Sequence, residues 1–191
     1  MIDRALSHLA SQLNQHFRQR FTPAEDPVVV SNLLDPGGSP EMITGNKLVL
    51  FVSGIERETA AHRAQPAGME TAARMRGPEP MFLNLLVMCA ATFSGRGYTE
   101  ALRYLSDAIA FFQSRPVFDH HNSPDLDPRL ERLVLNIENL SGSDMHSLWS
   151  LHGGRYLPSV LYRVRLICLD ESPLTRRESL VQTPDIEVGR S

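Results

Sequence analysis

The stretch PMFLNLLVMCAATFSGRGYTEALRYLSDAIAFFQSRP, residues 80–116, changes period halfway along. Met81 to Phe93 is apolar almost without a break, as expected of a strand buried on both faces in the middle of a sheet. Beyond the SGRG of Ser94–Gly97, Leu102, Leu105, Ile109 and Phe112 recur at spacings of three and four, widened by Ala101, Ala108 and Phe111. This predicts an amphipathic helix over Thr99–Ser114, stopped by Pro116. A central strand running into a helix with one apolar stripe sets the frame: a sheet with helices laid on it.

The flanks extend that frame. Ile2, Leu6, Leu9, Leu13 and Phe17 mark one face of a helix over residues 2–20. Val28–Asn32 is a short β-branched strand closed by the turn residues Asp35, Pro36, Gly37 and Gly38, and Lys47–Ile55 is a second strand. Downstream, Leu133, Leu135 and Ile137 alternate as a strand after a loop over Asp119–Pro128. Ser141 caps a short helix with Asp144 three residues on; Met145, Leu148 and Trp149 face inward and Gly153 ends it. Val160, Tyr162, Val164, Leu166 and Cys168 then alternate with Leu161, Arg163, Arg165 and Ile167, giving a strand with two arginines on its second face. Helices and strands do not alternate strictly, so the fold class is α+β: a mixed or antiparallel sheet with about three helices.

Two stretches lack core character. Residues 56–80 are rich in Ala, Arg, Glu and Pro and read as a long, mobile hairpin arm, about 57–79, carrying Arg57, Arg63, Arg74 and Arg76. After Asp170 the chain is polar and patternless, giving one domain over 1–170 and a flexible tail over 171–191.

Composition narrows the function classes. A net charge of -3 with no basic run argues against binding a nucleic-acid backbone. Lys47 is the sole lysine among 19 basic residues, a bias expected of a GC-rich bacterial genome. The first twenty residues contain Asp3 and no continuous apolar stretch, unlike a signal peptide, and no 18-residue apolar run exists to insert in a membrane. Two cysteines in apolar runs, Cys89 and Cys168, fit a reducing compartment, so the expectation is cytoplasmic synthesis.

Reaction chemistry finds little support. His120 and His121, with Asp119, Asp125 and Asp127, form the densest set of potential ligands, but adjacent histidines in an extended loop point in opposite directions. His8 and His16 read as boundary positions of a surface helix without an acidic partner at ligand spacing. His146 and His152 flank Trp149 near Ser147 and Ser150, but no G-x-S-x-G elbow is present. The glycines make no phosphate-binding loop; SGRG reads as a tight turn rather than an anion site. Hence no catalytic, cofactor-binding or metal-binding residue is expected. The features left over suit protein contact: Arg163 and Arg165 on one side of a strand, with Trp149 and Tyr156 just before it.

Ordered motifs add a resemblance. Pro80–Asp119, then RLVLNIENLSGSDMHSLWSLHGGRYLPSVLYRVRLICLD over Arg132–Asp170 with its LWS-x-x-GG-x-Y-x-PS-x-x-Y core, then the opening helix and NKLVLFVSGIERE over Asn46–Glu58, together resemble one family. It is the N-terminal-domain family of the cap, or tube-terminator, proteins of phage-tail-like contractile injection systems. The resemblance implies a ring at the end of the tube and sheath distal to the baseplate. It also implies six-fold symmetry, an end to polymerisation and anchoring of the last sheath layer, partly through exchanged extended segments. Expected partners are copies of itself, the sheath protein and the inner-tube protein; expected assembly is cytoplasmic, in a particle released from the cell. The alternative is an adaptor in the same particle, joining cargo, a membrane anchor or a second cap paralogue to the cap. A toxin or hydrolase carried in the tube needs a reactive centre that the sequence does not offer.

Overall fold

The computed structural model describes residues 1–34, 46–58, 81–93, 97–153 and 156–168. In chain order these form α1 (Ile2–Phe21), β1 (Val28–Val30), β2 (Lys47–Arg57), β3 (Met81–Thr92), α2 (Tyr98–Ser114), β4 (Val117–Asp119), β5 (Leu130–Ile137), α3 (Gly142–Leu151) and β6 (Ser159–Cys168). The six strands make one sheet in the order β1-β2-β3-β6-β5-β4. β1 runs parallel to β2 and every other pair is antiparallel, so the α+β expectation holds in its mixed form.

The last strand, β6, enters the sheet between β3 and β5. β3 therefore has a full-length neighbour on each side, and both of its faces are covered. Leu85, Val87, Cys89 and Ala91 join the larger core under α1 and α2, while Met88 and Ala90 join a smaller one under α3. Phe17, Leu9 and Leu13 of α1 are completely sheltered, and each is worth about 2–3 kcal/mol of transfer free energy. α2 lays Ala101, Ala108, Phe111 and Phe112 into the same core. Burial pushes the thiol of Cys89 up to about 12, so it behaves as an inert small hydrophobe.

Three local readings need correction. Leu102, placed on the buried stripe of α2, is 39% exposed, because the helix rolls so that Asp107 rather than Leu102 faces inward. Ile137 ends its strand with 42% of its surface open. β4 has no counterpart in the sequence reading, since three residues are too few to show alternation; it forms because Val117–Asp119 pairs with Arg132–Val134.

α3 forms as its cap residue dictates. Ser141 Oγ accepts the Asp144 N–H at 3.2 Å, and Gly153 follows the helix at φ +84°, a conformation suited to glycine.

Candidate functional site

The open part of the α3 face of the sheet carries a row of charges set by strand register. A bulge between Val52 and Gly54 shifts β2 by one residue against β3. Past the bulge Glu56 stands beside Asn84, which in turn pairs with Arg165 of β6. The next row holds Leu86, Arg163 and Asn136. The bulge is held by Ser53 Oγ, which donates to Leu86 O at 3.1 Å.

Arg163 is the hub. Its Nε and Nη2 donate to the two oxygens of Glu138 at 2.8 and 3.1 Å, and its Nη1 donates to Glu56. One guanidinium thus ties the end of β5 to β2, across β3 and β6. The planar fork suits a two-point carboxylate contact. The same bonds hold the Glu138 carboxyl below its ordinary value and raise the guanidinium's own. One row over, Glu58 Oε2 accepts from Asn84 Nδ2 at 3.1 Å and pairs with Arg165 Nη2 at 3.1 Å. Glu56 and Glu58 stand where the chain leaves the sheet towards Met81, so the two arginines pin the root of that connection. From Ile55 onward β2 has a strand beside it only on the β3 side among the described residues.

The sequence-expected contact residues are placed in different ways. Arg163 and Arg165 are brought together with internal carboxylates rather than left free. Arg57 belongs to β2, opposite Leu83, and not to a separate arm. Trp149 is 3% exposed and packs with Val49, Phe51, Met88, Ala90 and Leu161, so it is core; Tyr156 is 62% exposed and meets the Trp149 ring edge-on at 5.6 Å. Arg63, Arg74, Arg76, the arm from residue 59 and the tail lie outside the described residues.

The potential ligand clusters are consumed by structure. Asp119 Oδ1 accepts the backbone N–H groups of His121 and Asn122, making a turn. Asp127 is bound by Arg129, which holds its carboxyl well below the usual range. Among the described residues no three His, Cys, Asp or Glu side chains are placed to hold a metal ion, and no helix is long and apolar enough to cross a membrane. Ser150 donates to the carbonyl of His146, an ordinary helical back-bond. The reading of His8 as a boundary residue is overturned, whereas His16 is half-buried as expected; both find acidic partners that spacing along α1 does not show. His8 is buried with Nδ1 3.6 Å from Asp125, and His16 Nε2 is 2.9 Å from Asp107, partners supplied by distant parts of the chain.

Sequence reasoning missed Glu56, Glu58 and Glu138. The signal was present in part: two acids at spacing two in one strand and two arginines at spacing two in another. Their match depends on a register that includes a bulge.

The family model of the Pvc16 N-terminal domain matches residues 5–183. No curated protein matches the chain. Among solved structures, the chain is similar over its whole length to the sheath/tube terminator of PVC, an extracellular contractile injection system, in its extended state, with a TM-score of 0.57 and 11% identity. It is likewise similar over its whole length to the tube-terminating cap of the anti-feeding prophage, with a TM-score of 0.53 and 11% identity. The chain spans 65% of the first of these chains and 61% of the second.

Proposed function

The chain belongs to the Pvc16 N-terminal domain family, and from that premise we propose that it is a non-catalytic cap of a contractile injection particle. It forms a ring with copies of itself at the baseplate-distal end, terminates tube and sheath polymerisation, and anchors the last sheath layer. Assembly takes place in the cytoplasm before the particle leaves the cell. The observation that carries this reading is a family match over residues 5–183 coinciding with a fold shared with parts of two tube terminators.

The geometry supports a role that is mechanical. The carboxylates and hydroxyls nearest to forming a reactive cluster are occupied by turns and ion pairs. By contrast, the hairpin of β2 and β3 is latched at its root by Arg163 and Arg165, and the far end of β2, which among the described residues has a strand on one side only, suits addition of an extended segment from a neighbour. Arg57, Arg63, Arg74 and Arg76, with the exposed Tyr156, are the contacts proposed for neighbouring subunits or sheath.

The test is the length distribution of particles from a strain lacking only this chain, read by negative-stain electron microscopy. Overlong, ragged or uncapped tubes are expected. Particles of normal length with intact caps would refute termination and favour the adaptor reading. Removing residues 59–79 alone is expected to leave the domain folded but to impair ring assembly or sheath attachment.

A further inference from the structure

The α1–α2 seam carries two surface grooves that meet at one ion cluster. The first, about 520 Å³, lies between Gln12, Gln15 and Gln19 of α1 and Ser114 and Arg115 at the end of α2, with Phe111 among its lining. The second, about 470 Å³, lies between Arg20 and Phe21 of α1 and Arg103 and Ser106 of α2. Between them His16 Nε2 sits 2.9 Å from Asp107 Oδ2, and Arg20 Nε sits 3.1 Å from Asp107 Oδ1.

Among the described residues Asp107 is the only carboxylate lining either groove, and it is buried and occupied by His16 and Arg20; Asp125 stands beside the first groove, where it is held by Gln12 and His8. Arg103 stacks its guanidinium 4.3 Å from the centre of the Phe21 ring, which orients it without neutralising it. Neither Arg103 nor Arg115 has a carboxylate partner among the described residues. Among the described residues, a chain of net charge -3 thus places an arginine without a carboxylate partner at each end of one seam.

The rest of the lining says what kind of anion fits. The amides of Gln15 and Gln19 and the hydroxyl of Ser106 both donate and accept hydrogen bonds, as a peptide backbone requires, whereas Gln12 Nε2 already donates to Asp125 Oδ2 at 3.4 Å and Ser114 Oγ to Phe111 O at 2.8 Å. These two guanidiniums are too far apart for one small anion. Arg103 and Arg115 are twelve residues apart on α2, about 18 Å along the axis at 1.5 Å per residue. An extended chain covers that distance in about five or six residues.

We propose that the α1–α2 seam is a docking groove for an extended acidic segment of a partner protein, with two carboxylates about six residues apart. One carboxylate pairs with Arg103 beside Phe21 and the other with Arg115, while Gln15 and Gln19 bond the intervening backbone. The groove lies on the helix side of the sheet, away from the Arg163 latch, and the inference does not depend on the cap reading.

The test uses the full chain and a fluorescein-labelled seven-residue peptide with glutamate at each end and glycine and serine between, followed by fluorescence anisotropy at low salt. Saturable binding is expected, weakening as salt rises. R103E and R115E should each weaken it at least five-fold, and the double reversal should prefer the same peptide with lysine ends. Both arginines are exposed, so the variants should stay folded, with R103E losing only the stacking on Phe21. Failure of the wild type to bind, equal binding of the lysine-ended peptide, or unchanged affinity in both variants would overturn the proposal. Tighter binding of a single-stranded oligonucleotide that is lost in the same variants would overturn it too, by making the seam a nucleic-acid site.

Discussion

Asn14 of α1 and Val28 of β1 exchange two hydrogen bonds, Asn14 Nδ2 donating to Val28 O and the Val28 N–H donating to Asn14 Oδ1, each at 2.9 Å. A primary amide thereby does for the outer edge of β1 what a neighbouring strand would do. All four groups are buried, so the helix and the sheet edge are fastened where no water can substitute. Replacing Asn14 with leucine keeps the volume but orphans a buried N–H and C=O. The expected cost is about 2–4 kcal/mol, measured by urea unfolding. A change below about 0.5 kcal/mol would mean that β1 does not depend on this clasp.

The Arg163 latch behaves differently because it is open to solvent on one side, with the arginine side chain 32% exposed. Arg163→Met leaves Glu56 and Glu138 without their shared cation and is expected to cost about 1–2 kcal/mol at low salt. Much of that difference should vanish at 1 M salt, where the screening length falls to about 3 Å. A cost independent of salt would assign the effect to packing of the arginine stem instead.

Long periodic elements were readable from sequence, and their mutual placement was not. α1, β3 and α3 follow from stripes, an apolar run and the Ser141 cap, each a local property. That β6 inserts between β3 and β5 depends on pairing across tens of residues, which leaves no local trace. The charged row shows the same limit: Arg163 and Arg165 stood out, but Glu56 is brought to Arg163 only through the Val52/Gly54 bulge. Nothing local marks Asn14 or His8, because their partners, Val28 and Asp125, are supplied by tertiary structure.

Gly153 joins α3 to its surroundings through backbone conformation. At φ +84°, a Cβ there would also stand 3.3 Å from Leu34 Cδ2. Gly153→Ala is therefore expected to destabilise by about 1–2 kcal/mol. Trp149, the single tryptophan, sits four residues earlier in the smaller core, so its emission reports the docking of α3 directly. An unchanged spectrum and unfolding midpoint would show that the chain relaxes around the added methyl.

His8 sets the pH response of the helix layer. Burial lowers its pKa below the ordinary 6.5, opposed by the Asp125 carboxylate 3.6 Å away, and its Nε2 is buried with no hydrogen-bond partner in the described structure. The folded chain thus holds His8 neutral, while the unfolded chain takes up a proton as the pH falls through about 6.5. Stability is complete above that value and declines as the pH drops below it towards the folded pKa. His152, lowered by burial against Phe51, adds in the same direction. Asp127 and Glu138, lowered by their arginine partners, contribute only in the acid range below about 4.5. Melting temperatures measured from pH 7.5 to 5.5 should therefore fall for the wild type and fall less steeply for His8→Leu, with the residual slope assigned to His152. Parallel curves for the two proteins would remove His8 as the source of the decline.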